Sequence, residues 1–446
     1  MTGTILGTYR TKFNSDGTVA RYKARLVAQG NQQEYGLDYQ DTFSPVAKLP
    51  TIRILFTIAL FYKWSVQQLD VANAFLHGDI NETVYMRQPK GFEVASNPNH
   101  LGFTQSQADP SLLTLHRDSV HLYLLVYVDD ILLTGNNERA MAELVSKLQS
   151  KFALKHLGPA NQFLGIKIER TQDKFFLSQT LYAKSIIQMV ELHKCNSVAN
   201  PSYTKLPDSG SDDHAAFDEL KYRRIIGSLQ YLTLTRPDIA YVVNALSQHM
   251  HKPAPTHSVM LKKLLRYIQG SLDFGLPITR STLTLKTYSD ADWASDPDTR
   301  KSTSGFCTFL GNTLVSWTVK KQNTVSRSST ESEYRALASA TADIIWIKRL
   351  LSDFGVLHSQ PLDLYCDNMS TIALANNPIF HARTKHIEID QRFVRDHIQN
   401  KNIRLLPIST VDQVADIFTK PLTTPRFKLL RNKLTIAPNV QLEGAC

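Results

Sequence analysis

Apolar positions along the chain recur in two periods. Short alternating or unbroken apolar runs bounded by turn residues predict strands, and apolar residues returning every three to four positions predict helices. Residues 7–13 and 22–28 read as a hairpin closed around Asn14-Ser15-Asp16-Gly17, which Lys12, Arg21, Lys23 and Arg25 load with positive charge. Thr51 is the expected cap of a helix carrying Ile52, Leu55, Phe56, Ala59 and Leu60 on one side. Strands over 69–75 and 84–86, a hairpin over 122–133 and a covering helix over 138–152 complete an α+β unit.

The pattern then breaks. Residues 203–217 turn polar, with Pro207-Asp208-Ser209-Gly210-Ser211-Asp212-Asp213 reading as a linker. Helices are predicted over 222–234 and onward from Pro237 through Ile239, Val242, Val243, Leu246 and Met250. A further helix over 257–269 aligns Lys262, Lys263 and Arg266 on one face, either a solvated stripe or one that tracks a phosphate backbone. Strands over 283–289, 303–310 and 313–317, a helix over 331–354, a strand over 362–366 and later helical segments describe a second, compact α/β domain. No repeat of solenoid period occurs.

Composition narrows the class. A chain of 446 residues has room for two or three domains, and 42% hydrophobic with 20% charged residues excludes a disordered chain. Fifty Lys and Arg against 40 Asp and Glu give a formal charge of +10, which suits a polyanion such as nucleic acid but also an ordinary basic protein. Cys195, Cys307, Cys366 and Cys446 form no CxxC pair and are too scattered for a zinc site, so reduced thiols in an intracellular protein are expected. The N-terminus lacks the layout of a secretory signal, and the longest apolar runs, such as 54–62, are too short to span a bilayer; a protein neither secreted nor membrane-embedded is expected.

Carboxylates carry the chemistry. Tyr127-Val128-Asp129-Asp130 sets two acids at the tip of an apolar hairpin, and Asp70 in Gln68-Leu69-Asp70-Val71 ends another apolar run. A surface Asp-Asp turn accounts for the pair alone. Three acids brought together repel and are forced to protonate unless a cation sits among them, and a divalent metal is the natural one. A second set, Asp290, Glu333, Asp367 and Asp416, stands at element ends in the C-terminal half. Each has an ordinary explanation: Thr330 and Glu333 have the spacing of a capping box, Asp367 precedes a helix start through Asn368, and Asp416 fits a solvated helix face. Four such accidents weigh less than one site holding two metals. Two-metal sites suit phosphodiester chemistry, with a primer hydroxyl or water as attacker, so two clusters point to a polymerase joined to a nuclease.

The motifs go further. Arg21-Tyr22-Lys23-Ala24-Arg25-Leu26-Val27-Ala28, Gln68-Leu69-Asp70-Val71, Tyr127-Val128-Asp129-Asp130, Phe163-Leu164-Gly165, Thr235-Arg236-Pro237-Asp238-Ile239-Ala240-Tyr241, Ser289-Asp290-Ala291-Asp292-Trp293, Thr384-Lys385-His386-Ile387 and Ala415-Asp416-Ile417-Phe418-Thr419-Lys420 together resemble the reverse transcriptase and ribonuclease H region of copia-type retrotransposon Pol polyproteins. The resemblance implies an α+β right-hand polymerase with fingers and palm over 1–205, a helical thumb or connection over 206–280 and a ribonuclease H-like α/β domain over 281–446. It implies Mg²⁺ or Mn²⁺ as cofactor, and an RNA template, a DNA primer, deoxynucleoside triphosphates and RNA–DNA hybrid as partners. Asp70, Asp129 and Asp130 then resemble the polymerase metal ligands, and Asp290, Glu333, Asp367 and Asp416 the nuclease tetrad. Lys23 and Arg25 resemble fingers residues that meet the incoming triphosphate, Phe75 the aromatic that excludes a 2′-hydroxyl, and Phe163, Leu164 and Gly165 a primer-gripping turn.

One departure matters most. After Gln88-Pro89-Lys90-Gly91-Phe92 the family continues through several dozen residues that include a Gly-Leu-Lys-Gln-Ala-Pro-Arg-type motif, whereas here residues 92–101 run straight on. A palm segment that walls the nucleotide pocket is expected to be missing, and lost positioning lowers rate steeply. Residues 1–6 replace the usual start of the fingers, as in a truncated copy, and Pro407 stands where many relatives carry a histidine. The expectation is impaired polymerase and better-preserved nuclease, with a non-catalytic nucleic-acid-binding remnant as the rival.

Overall fold

The computed structural model describes residues 48–71, 102–204, 218–377 and 387–439, and the backbone of two strands before them. By contact the chain divides into two units, Met1–Ser44 with Asn73–Leu101, and Pro45–Ala72 with Gly102–Cys446. In the first unit, β1 (Ile5–Phe13) and β2 (Val19–Ala28) form the expected antiparallel hairpin, Lys23 opposite Arg10 and Arg25 opposite Thr8. The side chains of Lys23 and Arg25, together with Phe75, the strand expected over 84–86 and the Thr384–His386 motif, lie outside the described residues.

The second unit opens with α1 (Leu49–Tyr62), and here the structure corrects the sequence reading. Lys48 occupies the N-cap, with Pro50 in the first turn, and every residue from Thr51 to Leu60 is buried, so the helix has no solvent face. Its polar residues are satisfied internally. Thr51 Oγ1 donates to Asp109 Oδ2 at 2.5 Å, Thr57 Oγ1 to Arg53 O at 2.7 Å, and the Arg53 guanidinium to Val315 O at 2.9 Å and Leu234 O at 2.8 Å while lying 3.9 Å from the Trp317 ring. Buried donors with such partners avoid the desolvation cost of orphaned ones.

After α1 come β3 (Val66–Val71), β4 (Thr104–Gln105), β5 (Leu112–Arg117), β6 (Val120–Tyr127), β7 (Asp130–Gly135), α2 (Glu138–Lys151) and β8 (Leu154–Pro159). The strands form one antiparallel sheet in the order β4-β5-β6-β7-β3-β8. Asn137 caps α2 by accepting from Ala140 N at 2.9 Å, and the helix buries Met141, Leu144, Val145 and Leu148 at the spacing its sequence predicts. A second sheet starts with β9 (Gln162–Phe163), β10 (Ile166–Arg170) and β11 (Lys174–Ser178), followed by α3 (Thr180–Met189) and α4 (Glu219–Leu232). Pro237–Ile239 forms a 3₁₀ turn leading into α5 (Ala240–Ser247), shorter than expected, and α6 (Pro255–Gln269) precedes β12 (Phe274–Thr279).

The basic stripe of α6 is partly used inside the protein. Lys263 Nζ donates to Ser202 O at 2.6 Å and lies 3.8 Å from the Tyr203 ring, and Arg266 Nε donates to Asn196 O at 2.7 Å. Beside it, Arg236 and Asp238 form a fully buried bidentate pair at 2.9 and 2.8 Å, with Ser271 and Tyr267 completing their bonds.

The C-terminal sheet is built from β13 (Leu285–Asp292), β14 (Thr303–Leu310), β15 (Thr313–Lys321), the long helix α7 (Ser329–Asp353), β16 (Leu362–Cys366), α8 (Met369–Asn376), α9 (Glu388–Gln399) and β17 (Ile403–Pro407). Its order is β15-β14-β13-β16-β17, antiparallel across the first three strands and parallel from β13 through β17. A 3₁₀ turn at Val414–Phe418 and α10 (Thr424–Lys433) follow, and β18 (Ala437–Pro438) returns to pair with β12 in the second sheet. Helices interleaved with mixed and antiparallel sheets make the fold α+β, the class expected.

Candidate functional site

The first carboxylate set gathers where β3, β6 and β7 end. Tyr127 pairs with Asp130, leaving Val128 and Asp129 as a two-residue loop, so Asp130 begins the return strand. Asp130 in turn stands opposite Asp70 on β3, and Val71 N donates to Asp129 O at 2.8 Å. All three acids are half-buried. Burial, then the charges of Asp129 and Asp70, push the Asp130 carboxyl above its ordinary range, against a hydrogen bond from Gln68. The loop itself is strained, because Val128 has φ 55° and β-branched residues strongly avoid positive φ.

Phe163, Leu164 and Gly165 also form a tight turn. Phe163 pairs with Ile166, and Leu164 and Gly165 have φ of 50° and 71°, the double positive φ that a type I′ hairpin requires. Tyr231 of α4 donates its hydroxyl to Leu164 O, which fastens the turn to the helices.

The second set is more deeply enclosed. Asp290 lies near the end of the central strand β13, Glu333 in the second turn of α7, Asp367 just after β16 and Asp416 in the 3₁₀ turn after β17. Asp290, Glu333 and Asp416 are buried and Asp367 is half-buried. The capping explanation of Glu333 is overturned: Ser328 is the N-cap, accepting from Glu331 N at 3.2 Å, and Glu331 Oε2 accepts from Arg327 N at 2.8 Å. Glu333 is thus free of the cap, and its Oε2 is buried without a hydrogen-bond partner among the described residues. Asn368, not Asp367, caps α8, and Asp367 Oδ2 accepts from Thr410 Oγ1 at 3.0 Å. Burial also removes the solvated reading of Asp416.

Lys420 stands among these acids. Its Nζ lies 3.3 Å from Asp290 Oδ2 and 2.9 Å from Asp416 Oδ1, and Arg426 Nη2 reaches Asp416 Oδ2 at 3.1 Å. Thr419 Oγ1 donates to Asp290 Oδ2. Even so, burial pushes Asp290 up to about 6, with Lys420 opposing and Asp416 adding to the rise. Glu333 is raised well above its ordinary range by burial, then by Asp290 and Asp367. A ligand oxygen of Glu333, the Cys366 sulfur and an oxygen of Asp367 all lie within 4.8 Å of one another. A buried orphan oxygen, and Asp290 and Glu333 carboxyls raised first by burial and then by neighbouring acids, fit a divalent cation, as does the acidic donor set.

The family described as reverse transcriptase (RNA-dependent DNA polymerase) matches residues 6–101 and 97–204. Over 457 aligned positions the chain is 40% identical to the retrovirus-related Pol polyprotein from transposon RE2 of Arabidopsis thaliana, covering 96% of this chain and 31% of the relative. The chain belongs to the copia-type retrotransposon Pol polyprotein family. Within that family, the Pol polyprotein from transposon TNT 1-94 of Nicotiana tabacum is 34% identical over 469 positions, covering 97% of this chain and 35% of the relative. The chain therefore spans about a third of the length of these copia-type relatives. A solved RNase H1 in complex with RNA/DNA hybrid overlaps at a TM-score of 0.23 and 12% identity, covering 30% of this chain and 94% of that one, a score that carries no functional weight.

Sequence reasoning passed over three neighbours of the second set. Lys420 follows Asp416 by four residues, the spacing of a local ion pair, and was legible as such. Thr419 and Cys366 gave no sign of these contacts, because only the tertiary fold brings them to Asp290 and Glu333.

Proposed function

We propose that the C-terminal domain, residues 281–446, is a ribonuclease H-type centre that hydrolyses the RNA strand of RNA–DNA hybrids, and that residues 1–205 are polymerase fingers and palm. Asp290, Glu333, Asp367 and Asp416 would hold Mg²⁺ or Mn²⁺ in the nuclease, and Asp70, Asp129 and Asp130 in the palm. Divalent ions supply a lowered pKa for the attacking oxygen and charge for the leaving one. The chain's own part is positioning. Thr419 and Gln413 fix the end of β13, the first through the Asp290 carboxylate and the second by donating to Ser289 O at 2.9 Å. Arg426 holds Asp416, and Thr410 holds Asp367. Lys420 partly neutralises the set while no divalent ion is bound. The observation that carries this reading is the buried, unpartnered Glu333 Oε2 among three further acids.

The palm reading is of a weakened enzyme. Both alignments, at 457 and 469 positions, exceed the 446 residues of the chain, so the relatives carry residues that this chain lacks. The family match falls in two segments that meet at residues 97–101. Among the described residues, 102–121 contain strands and turns but no helix, while 72–101 lie outside them. These facts support loss of the segment that walls the nucleotide pocket. Substrates would be RNA–DNA hybrid for the nuclease, and RNA template, DNA primer and deoxynucleoside triphosphates for any residual polymerase, with residues 206–280 serving as thumb or connection.

Purified protein given Mg²⁺ and a labelled RNA–DNA hybrid tests the first part. RNA cleavage abolished by Asp290→Asn is expected, and its absence in the wild-type chain would leave a nucleic-acid-binding remnant. Primer extension on an RNA template tests the second part: robust extension lost in Asp129→Asn would refute the impairment.

A further inference from the structure

Cys366 ends β16, whose alternation buries it with Leu362 and Leu364 on one face. The same face meets α7, which brings the sulfur beside Glu333. One ligand atom from each of Glu333, Cys366 and Asp367 lies within 4.8 Å of the others, and the sulfur's own hydrogen bond, to Asn368 O at 3.9 Å, is long and weak. Glu333 is 6% exposed and its Oε2 has no partner among the described residues. A thiol is a poor ligand for Mg²⁺, which takes near-octahedral oxygen donors and keeps several waters. It is a preferred ligand for softer ions, which bind thiolate with carboxylate in tetrahedral sites at bond lengths of about 2.0–2.3 Å. Donors that close need only side-chain rotation to meet one such ion.

We propose that Glu333, Cys366 and Asp367 form a site for a thiophilic divalent cation, Zn²⁺ or Cd²⁺, bound through the Cys366 thiolate and the two carboxylates. The thiol proton leaves to solvent as the metal–sulfur bond forms, with no change of oxidation state. Because Glu333 and Asp367 are shared with the hard-metal site, a soft ion excludes Mg²⁺ and switches the nuclease off; this consequence rests on the nuclease reading, whereas the binding does not.

Cadmium decides the binding on the full chain, because cadmium–thiolate bonds give a sulfur-to-metal charge-transfer band in the ultraviolet that histidine or carboxylate ligation does not. Titration of the chelator-stripped, reduced protein with Cd²⁺ is expected to produce this band with one-to-one stoichiometry. The band should vanish in Cys366→Ser, persist in Cys195→Ser and Cys307→Ser, and need at least tenfold more Cd²⁺ in Glu333→Gln. Far-ultraviolet circular dichroism checks that each variant is folded, and Cys366→Ala replaces Cys366→Ser if the latter is not. No band, a band that survives loss of Cys366, or one indifferent to Glu333→Gln in folded protein overturns the site. In the hybrid-cleavage assay, Zn²⁺ inhibition that Mg²⁺ relieves in the wild type should weaken at least tenfold in Cys366→Ser. Equal inhibition of both overturns the switch, and a wild type that never cleaves refutes the nuclease reading while the cadmium band still decides the site.

Discussion

Replacing Asp290 with Asn should stabilise the metal-free protein at neutral pH. Asp290 is 2% exposed, and its carboxyl is raised from an ordinary 3.8 to about 6, chiefly by burial and against the pull of Lys420. At about 1.4 kcal/mol per unit, holding it ionised at pH 7 costs the folded state roughly 3 kcal/mol. The folded state binds this proton more tightly than the unfolded chain does. The stabilising contribution is therefore full below about pH 4, falls as pH rises through 3.8 to about 6, and is gone above that window. Asn keeps the shape and can still accept from Thr419, while Lys420 retains Asp416 at 2.9 Å. The loss of one Lys420 partner offsets part of the gain, leaving about 1–3 kcal/mol, or a Tm rise of roughly 2–10 °C for a domain of this size. Thermal denaturation of wild type and Asp290→Asn in EDTA, at pH 4 and pH 7.5, checks this, with the exposed Asp273→Asn as control. The difference should appear only at pH 7.5 and shrink when Mg²⁺ is added, because a bound ion stabilises the wild type selectively. A variant no more stable than the wild type at pH 7.5 in EDTA would refute the claim that these acids burden the fold.

Three further outcomes follow from the geometry. Asp238→Asn leaves the fully buried Arg236 without its counter-charge and should cost about 3–5 kcal/mol in urea unfolding, whereas Glu143→Gln at the exposed Arg139 pair should cost under about 1 kcal/mol; equal midpoints for the two would contradict the buried-pair argument. Gly165→Ala should destabilise by about 1–3 kcal/mol, since φ is 71° and a Cβ there would strike the Tyr231 hydroxyl; a thermal scan that shows no loss would mean the turn relaxes freely. Val128→Gly should release the strain of φ 55° for a net gain of up to about 1 kcal/mol after the entropy cost of glycine, read from the same scans, and a loss of stability would count against it.

Much of the architecture was legible because period and burial agree. The strands at 303–310 and 362–366 fall at the observed bounds, and the α2 helix buries the face its spacing predicts. The miss at α1 has a definite cause. Thr51 read as the cap and the apolar residues as one side of the helix, but Thr51, Arg53 and Thr57 each find a bonding partner within the fold, and a helix packed on all sides can then carry them. The cap of α7 was placed two residues late because Ser328 and Thr330 both suit an N-cap, and only backbone geometry chooses between them. That choice bears on function, since a Glu333 spent on capping would have left the acidic set one member short. Cys366 and Thr419 were passed over for a different reason: Glu333 and Asp290, which they meet, are far away in sequence, and a cysteine without a second one nearby gave no metal-site spacing.

The two carboxylate sets differ in how they bear their charge. Asp70, Asp129 and Asp130 are half-buried, and solvent screens their repulsion, so the fold tolerates them whether or not a metal ever binds. Their presence is thus compatible with the weakened polymerase proposed above. Asp290, Glu333 and Asp416 are buried, and Lys420 and Arg426 bring two positive charges to a group of four acids. Among the described residues Glu333 has no ion pair, and burial, then Asp290 and Asp367, raise its carboxyl despite the charge of Lys420. Such an arrangement burdens the fold, and a divalent ion would relieve it. The shortfall of cations is therefore concentrated in the C-terminal set, which within the proposed reading favours hybrid cleavage over DNA synthesis on grounds independent of the proposed loss of a palm segment.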